Sequence, residues 1–378
     1  MSFSDKKAAS LLPSIQQKFV NEVITALRTG PSKQDLARQF LDTGVHIPRF
    51  LVGRNEEAKA LQELVRIDGV IDDFTAASED GQGTPIVKSR ELPGNAWVVN
   101  CSTSISPVNV NKRLAALKLQ RCIGINQIIQ ASGGALAWSW FVRDQRSSIE
   151  HHLVEWAQLY ERLADEESRE MLLNVVRFRL TADASYMQHY QVRSQDQYFE
   201  DFMDYSQEVF VDAGGFDGDT TEAFCRRYPD YKKVYLFEPS DINLQAARRR
   251  LSALRDINFM PMALSDREEV LSFDASAGSA SAVNASAPVK VRACRLDDVM
   301  EESVSFIKMD LEGWEMKALA GASNLIARHK CKLAISVYHS ASDFLAVPRF
   351  LLEINPRYRI YLRHYTQGWS ETVMFFRE

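Results

Sequence analysis

The 378-residue sequence lacks the features that mark membrane, nucleic-acid-binding and secreted proteins. No apolar run approaches the roughly 20 residues that a membrane-spanning helix needs, so we expect no membrane span. The 45 basic and 50 acidic residues give a net charge of -5, and no long basic run is present. We therefore expect no nucleic-acid partner. The amino-terminal segment also lacks the apolar core of a signal peptide, which favours a cytoplasmic location.

Cysteine is scarce and shows no metal-ligand or redox spacing. Scattered cysteines of this kind are typical of small core residues in a reducing compartment. The chain contains five of them: Cys101, Cys122, Cys225, Cys294 and Cys331. Hydrophobic residues make up 46% and charged residues 25%, as in ordinary globular proteins.

The length of the chain exceeds the usual size of one hydrophobic core, which predicts more than one domain. The patterns indicate a helical lead-in over residues 1–45, a small parallel α/β domain over 46–135 and a helical connector over 136–205. A second α/β domain should span 206–378. The first domain resembles a degenerate Rossmann unit, because its first turn, Val52-Gly-Arg-Asn55, holds one glycine where a nucleotide fold shows two or three. We expect a structural or partner-binding role for it.

The sequence pattern predicts that the second domain forms a doubly wound sheet that ends in an antiparallel hairpin. In this domain the pattern predicts one continuous strand from Asn258 to Leu264, and a small-residue loop from Asp274 to Pro288. In the first domain it predicts a helix from Asn111 to Arg121.

A glycine-rich turn follows the first predicted strand of the second domain. The apolar stretch that ends at Asp212 is typical of a buried parallel strand, and Gly214-Gly-Phe-Asp-Gly218 would let the backbone approach a ligand closely. A helix should follow, with Asp219 or Thr220 as its N-cap. The next strand ends in Glu238, at the distance where nucleotide folds place an acid on ribose hydroxyls.

Two carboxylates in this turn favour a cationic cofactor over a dinucleotide. Asp217 and Asp219 would repel a pyrophosphate, whereas S-adenosylmethionine carries an ammonium and a sulfonium and no phosphate. We therefore predict S-adenosylmethionine as the cofactor. The predicted contacts come from this turn, the neighbouring strand ends and a later polar turn: Asp212, Gly214, Gly215, Asp217, Gly218, Glu238 and Asp266.

Several motifs of the second domain resemble those of FkbM-type S-adenosylmethionine-dependent methyltransferases. The most distinctive is Ile307-Lys-Met-Asp-Leu-Glu-Gly-Trp-Glu315, and the resemblance covers about residues 206–378. The further motifs are Val209 to Thr220, Phe237-Glu-Pro239, Leu319-Ala-Gly-Ala322 and Glu371-Thr372, with Asp165-Glu-Glu-Ser168 and Gln197-Tyr-Phe199 upstream. The chain departs from many members at Gly215-Phe216, where they have Ala-Asn, and its first domain lacks a glycine-rich turn often seen there.

The resemblance implies a class I methyltransferase fold and methylation of a hydroxyl on a sugar, glycan or secondary metabolite. The partner would be a small-molecule or glycan acceptor, whose identity the sequence does not specify. Neither does it specify the oligomeric state. Two alternatives stay open: a non-catalytic cofactor-binding or scaffold protein, and a dinucleotide-dependent enzyme acting on nucleotide sugars.

Four residues are candidates for the methyl-transfer chemistry. A hydroxyl acceptor needs a proton acceptor, and His339, at a strand end, is the best candidate for a general base. Asp310 and Glu312 could orient the acceptor or a lysine, or bind a divalent cation with another acid. Because no second acidic cluster follows the His339 strand, we expect no metal. Lys308 would be costly to bury unpaired, and Asp212, Glu312 and Glu315 are its candidate partners.

Overall fold

A computed structural model describes residues 13–30, 32–274, 282–283 and 287–378. The first twelve residues of the predicted lead-in, and most of the predicted loop after Asp274, lie outside the described residues. The chain divides into two compact units. Unit 1 comprises Met1–Glu161, Arg169–Val192 and Tyr365–Ser370, and unit 2 comprises Arg162–Ser168, Arg193–His364 and Glu371–Glu378.

Unit 1 is built on a parallel five-stranded sheet of order β3-β2-β1-β4-β5. Buried aliphatic side chains on both faces of the strands, such as Leu51 and Val98, form its core. This order matches a Rossmann-type half and confirms the predicted α/β architecture. The strands are β1 (Arg49–Val52), β2 (Gly69–Ile71), β3 (Ile86–Val87), β4 (Trp97–Asn100) and β5 (Arg121–Gly124).

Helices flank this sheet and continue beyond it. The Asn55 side chain caps a helix by accepting from Ala58 N at 3.1 Å. The predicted helix from Asn111 to Arg121 is wrong at both ends, because Pro107 opens the helix and Arg121 begins β5. The helices are α1 (Ser14–Arg28), α2 (Gln34–Leu41), α3 (Glu56–Leu64), α4 (Pro107–Ala116), α5 (Ile125–Ala131), α6 (Trp140–Arg162) and α7 (Glu166–Thr181).

Unit 2 is built on a seven-stranded sheet of order β15-β16-β14-β13-β6-β7-β8. Strand β16 is antiparallel to both neighbours, and the other pairs are parallel. This topology confirms the predicted doubly wound sheet and its closing hairpin. The strands are β6 (Val209–Ala213), β7 (Lys233–Phe237), β8 (Ile257–Met260), β13 (Phe306–Met309), β14 (Lys332–Ser336), β15 (Arg359–His364) and β16 (Thr372–Arg377).

A second, smaller sheet of unit 2 has the order β11-β10-β12-β9. Its strands are β9 (Ala263–Leu264), β10 (Glu269–Asp274), β11 (Ala282–Val283) and β12 (Val289–Cys294). The predicted continuous strand from Asn258 to Leu264 is therefore wrong, since β8 joins the large sheet and β9 the small one. Pro261 lies between them and has no backbone N–H with which to continue a ladder.

Helices and aromatic side chains cover the faces of the large sheet. Phe210 of β6 and Phe306 of β13 stack with ring centroids 4.7 Å apart, which fixes these neighbouring strands at the centre of the unit. The helices of unit 2 are α8 (Asp219–Arg227), α9 (Asp241–Arg250), α10 (Leu296–Val299), α11 (Glu315–Ala320), α12 (Ser323–His329) and α13 (Asp343–Ile354).

Two sequence-based expectations about the whole chain can be compared with the structure. All five cysteines are free, and all but Cys122 are buried, as expected for core residues. None of the helices among the described residues is long and apolar enough to cross a membrane.

Candidate active site

The carboxyl ends of β6, β7, β13 and β14 meet at one edge of the large sheet, where doubly wound folds bind ligands. A cleft opens at this edge, between the glycine-rich turn after β6 and the segment after β13. Its walls are mainly apolar, with acidic groups between them. The lining residues are Gly214, Phe216, Phe237, Glu238, Pro239, Asn243, Met262, Ala263, Leu264, Phe273, Asp310, Leu311, Glu312 and Trp314.

The glycines of the turn are required by the packing of the protein itself. Gly214 has a φ of +78°, and a Cβ there would lie 2.0 Å from the Asp310 carbonyl oxygen. A Cβ on Gly215 would lie 2.4 Å from Leu236 Cγ. The turn therefore presses against strands β7 and β13, and the close approach that the sequence predicted is made to protein atoms.

The helix after the turn begins differently from the sequence prediction. Gly218, with a φ of +84°, is the N-cap of α8, and Asp219 is its first residue. The Asp217 carboxylate forms an ion pair with Arg250 of α9. The Asp219 carboxylate accepts from Thr220 N at 2.7 Å. The charge of Asp217 is therefore already balanced within the chain.

A buried ion pair lies directly beneath the turn. Lys308 Nζ is 3.1 Å from Asp212 Oδ1 and donates to the Gly214 carbonyl at 2.8 Å, with side chains 3% and 0% exposed. Thr221 Oγ1 donates to Asp212 Oδ2. Burial raises the pKa of Asp212. Burial opposes the charge of Lys308, but the Asp212 and Asp310 carboxylates raise its pKa. Both residues therefore stabilise the turn from its buried side, and the Asp212 side chain is not exposed in the cleft.

Glu238 joins the turn to the end of β7. One carboxylate oxygen accepts from Phe216 N at 3.0 Å and the other from Ser240 N at 2.8 Å, and the residue is 5% exposed. Burial raises its pKa, while the bonds from Ser240 and Phe216 lower it. The Asn243 side chain also donates to Glu238, and a carboxylate has about four lone-pair positions, so capacity remains for a ligand in the cleft. Asp266 lies two residues beyond Leu264, which lines the cleft.

Asp310, Glu312 and His339 lie together on the other side of the cleft. His339 Nε2 is 3.5 Å from Asp310 Oδ1 and 3.4 Å from Glu312 Oε2, and Nδ1 is 3.2 Å from Glu315 Oε1. Burial lowers the pKa of His339, but the carboxylates of Glu312, Glu315 and Asp310 outweigh it and raise that pKa to about 11. At neutral pH the ring in this arrangement is protonated and cannot accept a further proton.

A hydrogen-bond network that the sequence prediction missed supports this cluster. Tyr198 Oη donates to Asp310 Oδ2 at 2.7 Å. Gln197 Nε2 donates to Tyr198 Oη at 2.9 Å and to Glu371 Oε2 at 2.7 Å. Burial raises the pKa of Glu371 to about 7. The sequence contained one indication of these residues, because Gln197-Tyr-Phe199 and Glu371-Thr372 resemble family motifs. That resemblance did not assign a chemical role to them.

Residues with a left-handed backbone occur in and beside this site, as well as elsewhere in the chain. Tyr198, Phe216, Glu312 and Glu371 have φ values of +75°, +44°, +52° and +65°. Residues with side chains adopt this left-handed region at a cost of order 1–3 kcal/mol, and such residues cluster at functional sites. Two of the four, Phe216 and Glu312, line the cleft itself.

The chain resembles known proteins in sequence and in fold. A sequence profile of the methyltransferase FkbM domain matches residues 212–360. The crystal structure of methyltransferase FkbM from Methylobacillus flagellatus KT superposes with a TM-score of 0.73 at 23% identity, covering 96% of this chain and 99% of that one. An rRNA methylase from Streptococcus thermophilus matches with a TM-score of 0.33 at 18% identity, over 47% of this chain and 92% of that one.

No protein of curated function shows significant similarity to the chain. The similarity to the Methylobacillus protein shows a shared fold over nearly the full length of both chains. The profile match covers the strand ends that carry Asp212, Glu238, Asp310 and His339. The part of the chain that matches the methyltransferase FkbM domain is therefore residues 212–360 of unit 2.

Proposed function

We propose that the protein transfers a methyl group from S-adenosylmethionine to a hydroxyl of a sugar, glycan or secondary metabolite. The observation that carries the proposal is the cleft of unit 2, where the glycine turn and Glu238 face Asp310 and Glu312 inside an FkbM domain. The cofactor would bind on the Glu238 side and the acceptor on the Asp310 side.

The residues of the cleft fit this cofactor chemically. Phe237, Met262 and Phe273 offer an apolar surface for an adenine ring, and Glu238 can accept from ribose hydroxyls. The indole Nε1 of Trp314 is a buried donor without a hydrogen-bond partner among the described residues, in a side chain that lines the cleft. A polar ligand would satisfy that donor.

The acceptor hydroxyl must be held in line with the methyl group and must lose its proton. S-adenosylmethionine supplies a methyl group activated by a sulfonium. Asp310 and Glu312, with side chains 19% and 26% exposed, present carboxylate oxygens to the open side of the site. Carboxylates accept hydrogen bonds from hydroxyls, and this supports an alcohol as the acceptor. The predicted general-base role of His339 requires a neutral ring, hence removal of the proton that the carboxylates stabilise.

The direct test is to incubate the full chain with methyl-labelled S-adenosylmethionine and separate fractions of glycans, sugars and small metabolites. We expect label in a hydroxyl-bearing fraction, as a methyl ether. A matched reaction with Gly214→Val should give none, because a side chain at that position collides with the Asp310 backbone. Label confined to carboxyl, amine or carbon positions would contradict O-methylation, and no transfer to any fraction would contradict the enzyme assignment.

Removing the Glu238 carboxylate should weaken cofactor binding. We expect Glu238→Ala to cost about 2–4 kcal/mol in binding free energy, because hydrogen bonds to charged groups contribute about 1.5–3 kcal/mol each and are seldom additive. Calorimetric titration with S-adenosylhomocysteine gives the dissociation constant.

Two controls make the Glu238 result specific. The exposed Glu301→Ala variant changes charge equally at a surface site and should bind like the unchanged chain. Thermal unfolding must show that Glu238→Ala stays folded, since Glu238 also accepts from Phe216 and Ser240. An unchanged dissociation constant in folded Glu238→Ala would mean that this carboxylate has only a structural role.

A further inference from the structure

We propose that Asp310, Glu312 and His339 bind one divalent cation, Mg²⁺ or Mn²⁺, on the acceptor side of the cleft. Its role in methyl transfer rests on the proposed function, whereas its binding rests only on the geometry of these three residues. The sequence predicted no metal, because no second acidic cluster follows β14. The structure supplies His339 in that place.

The three side chains are spaced as ligands of one ion. One ligand atom from each lies within 4.8 Å of the other two. The Nε2 atom of His339 is 3.5 Å from Asp310 Oδ1 and 3.4 Å from Glu312 Oε2. Ligands about 2.1 Å from an octahedral ion are separated by about 3.0 Å when adjacent and about 4.2 Å when opposite, so shifts of a few tenths of an ångström suffice.

Neighbouring side chains already position two of the three ligands, His339 and Asp310. Glu315 Oε1 lies 3.2 Å from His339 Nδ1 and accepts from Leu311 N at 2.6 Å, with the Glu315 side chain 1% exposed. A carboxylate behind a ligating imidazole fixes the tautomer and leaves Nε2 free to coordinate. Tyr198 Oη donates to Asp310 Oδ2 at 2.7 Å, and Oδ1, which faces His339, accepts a long bond from Tyr338 Oη at 3.4 Å.

An unsatisfied buried ring supplies an observation independent of the acidic pair. The His339 side chain is 10% exposed, and neither ring nitrogen has a hydrogen-bond partner of acceptable geometry among the described residues. Its Nε2 instead points between two carboxylate oxygens. A neutral nitrogen lone pair there would repel both, so the arrangement needs a positive charge, either a proton on Nε2 or a cation between the three atoms. A divalent cation supplies that charge and is bound by all three groups.

The donor set selects the type of ion. Two carboxylates with one imidazole suit Mg²⁺ or Mn²⁺, which take six ligands, whereas zinc sites commonly add thiolates or more imidazoles. Three positions remain for water and the acceptor oxygen. Bound there, the hydroxyl would release its proton to water, and the oxygen would attack the methyl carbon. The carbon–sulfur electron pair would then remain on sulfur, and the metal would keep its oxidation state.

The test is direct titration of the full chain with Mn²⁺ after treatment with EDTA and buffer exchange. Electron paramagnetic resonance follows the signal of free aqueous Mn²⁺. We expect one Mn²⁺ per chain, competed by Mg²⁺, and at least about 10-fold weaker binding in both His339→Asn and Glu312→Gln. Glu315→Gln, which changes a carboxylate that contacts the imidazole and Leu311 N and is not itself a proposed ligand, should weaken binding by about 10- to 100-fold, the span for residues that orient a ligand.

Matched controls separate this site from general surface charge. Glu301→Gln makes the same charge change at an exposed position and should bind Mn²⁺ like the unchanged chain. Glu312 is 26% exposed, so its variant should fold even if His339→Asn does not. Absence of saturable Mn²⁺ binding, or equal binding by Glu312→Gln and the unchanged chain, would overturn the proposal.

Titration with S-adenosylhomocysteine on the same samples distinguishes the two proposals. Methyl transfer that continues in EDTA, from a chain that takes up no Mn²⁺, would overturn the cation site and leave the proposed function standing. Site-specific Mn²⁺ binding by a chain that binds no S-adenosylhomocysteine would support the cation site and contradict the proposed function.

Discussion

Replacing His339 with asparagine is expected to lower methyl transfer by about 100- to 10,000-fold, the span for a group that assists proton removal in the transition state. The affinity for S-adenosylmethionine should stay near that of the unchanged chain, because the proposed cofactor contacts lie on the Glu238 side of the cleft. Single-turnover rates with a genuine acceptor, together with calorimetric binding of S-adenosylhomocysteine, measure the two quantities separately.

The loss of methyl-transfer activity in His339→Asn should depend on the contacts of His339 with Asp310 and Glu312. Asp310→Asn should therefore also lower the rate, and the loss should change with added Mg²⁺ or Mn²⁺ if the two residues share a cation. His329→Asn, at the end of α12, is the matched control and should keep full activity. Full turnover by His339→Asn would remove His339 from the chemistry and leave the carboxylates as the remaining candidates.

Replacing Lys308 with methionine is expected to destabilise unit 2 by about 3–5 kcal/mol, because the change leaves the Asp212 carboxylate buried without its cationic partner. Asp212 is 0% exposed, so water cannot replace the ammonium. Methionine keeps the length of the side chain, so the loss reports on charge more than on packing. Urea unfolding, followed by circular dichroism, measures the change.

Two further variants isolate the charge pair. Lys290→Met alters an exposed lysine of β12 and should change stability by no more than about 0.5 kcal/mol. The double variant Lys308→Met with Asp212→Leu removes both charges and should recover much of the lost stability, since apolar replacements of buried pairs are often neutral. A loss below about 1 kcal/mol in Lys308→Met alone would contradict a fastening role for the pair.

The sequence predicted the large sheet of unit 2 well, because its parallel strands are continuous apolar runs bounded by turn residues. Strands ending near Asp212, Glu238 and Asp310 follow directly from that pattern. The sequence-based prediction failed where pairing with another strand determines the secondary structure of a segment. Arg121 joins β5 because β4 supplies a parallel partner, and β9 leaves the large sheet because β12 pairs with it after Pro261.

The candidate site was only partly predictable for a similar reason. A run of strand ends indicates which residues share one edge of a sheet, but it does not give the direction of their side chains. Asp212 and Lys308 pair beneath the turn, which the sequence offered only as one option. His339 lies three residues beyond β14, so its approach to Asp310 and Glu312 depends on the loop. Tyr198 reaches Asp310 from 112 residues away in sequence.

The central claim is that the cleft of unit 2 binds S-adenosylmethionine, and hydrogen–deuterium exchange with and without the cofactor tests it most directly. We predict slower exchange at the backbone amides of Gly214–Gly218, Phe237–Ser240 and Met262–Leu264 when the cofactor is present. The amides after β1 and β4 of unit 1 should exchange at unchanged rates. Protection confined to unit 1, or no protection at a saturating cofactor concentration, would contradict the account.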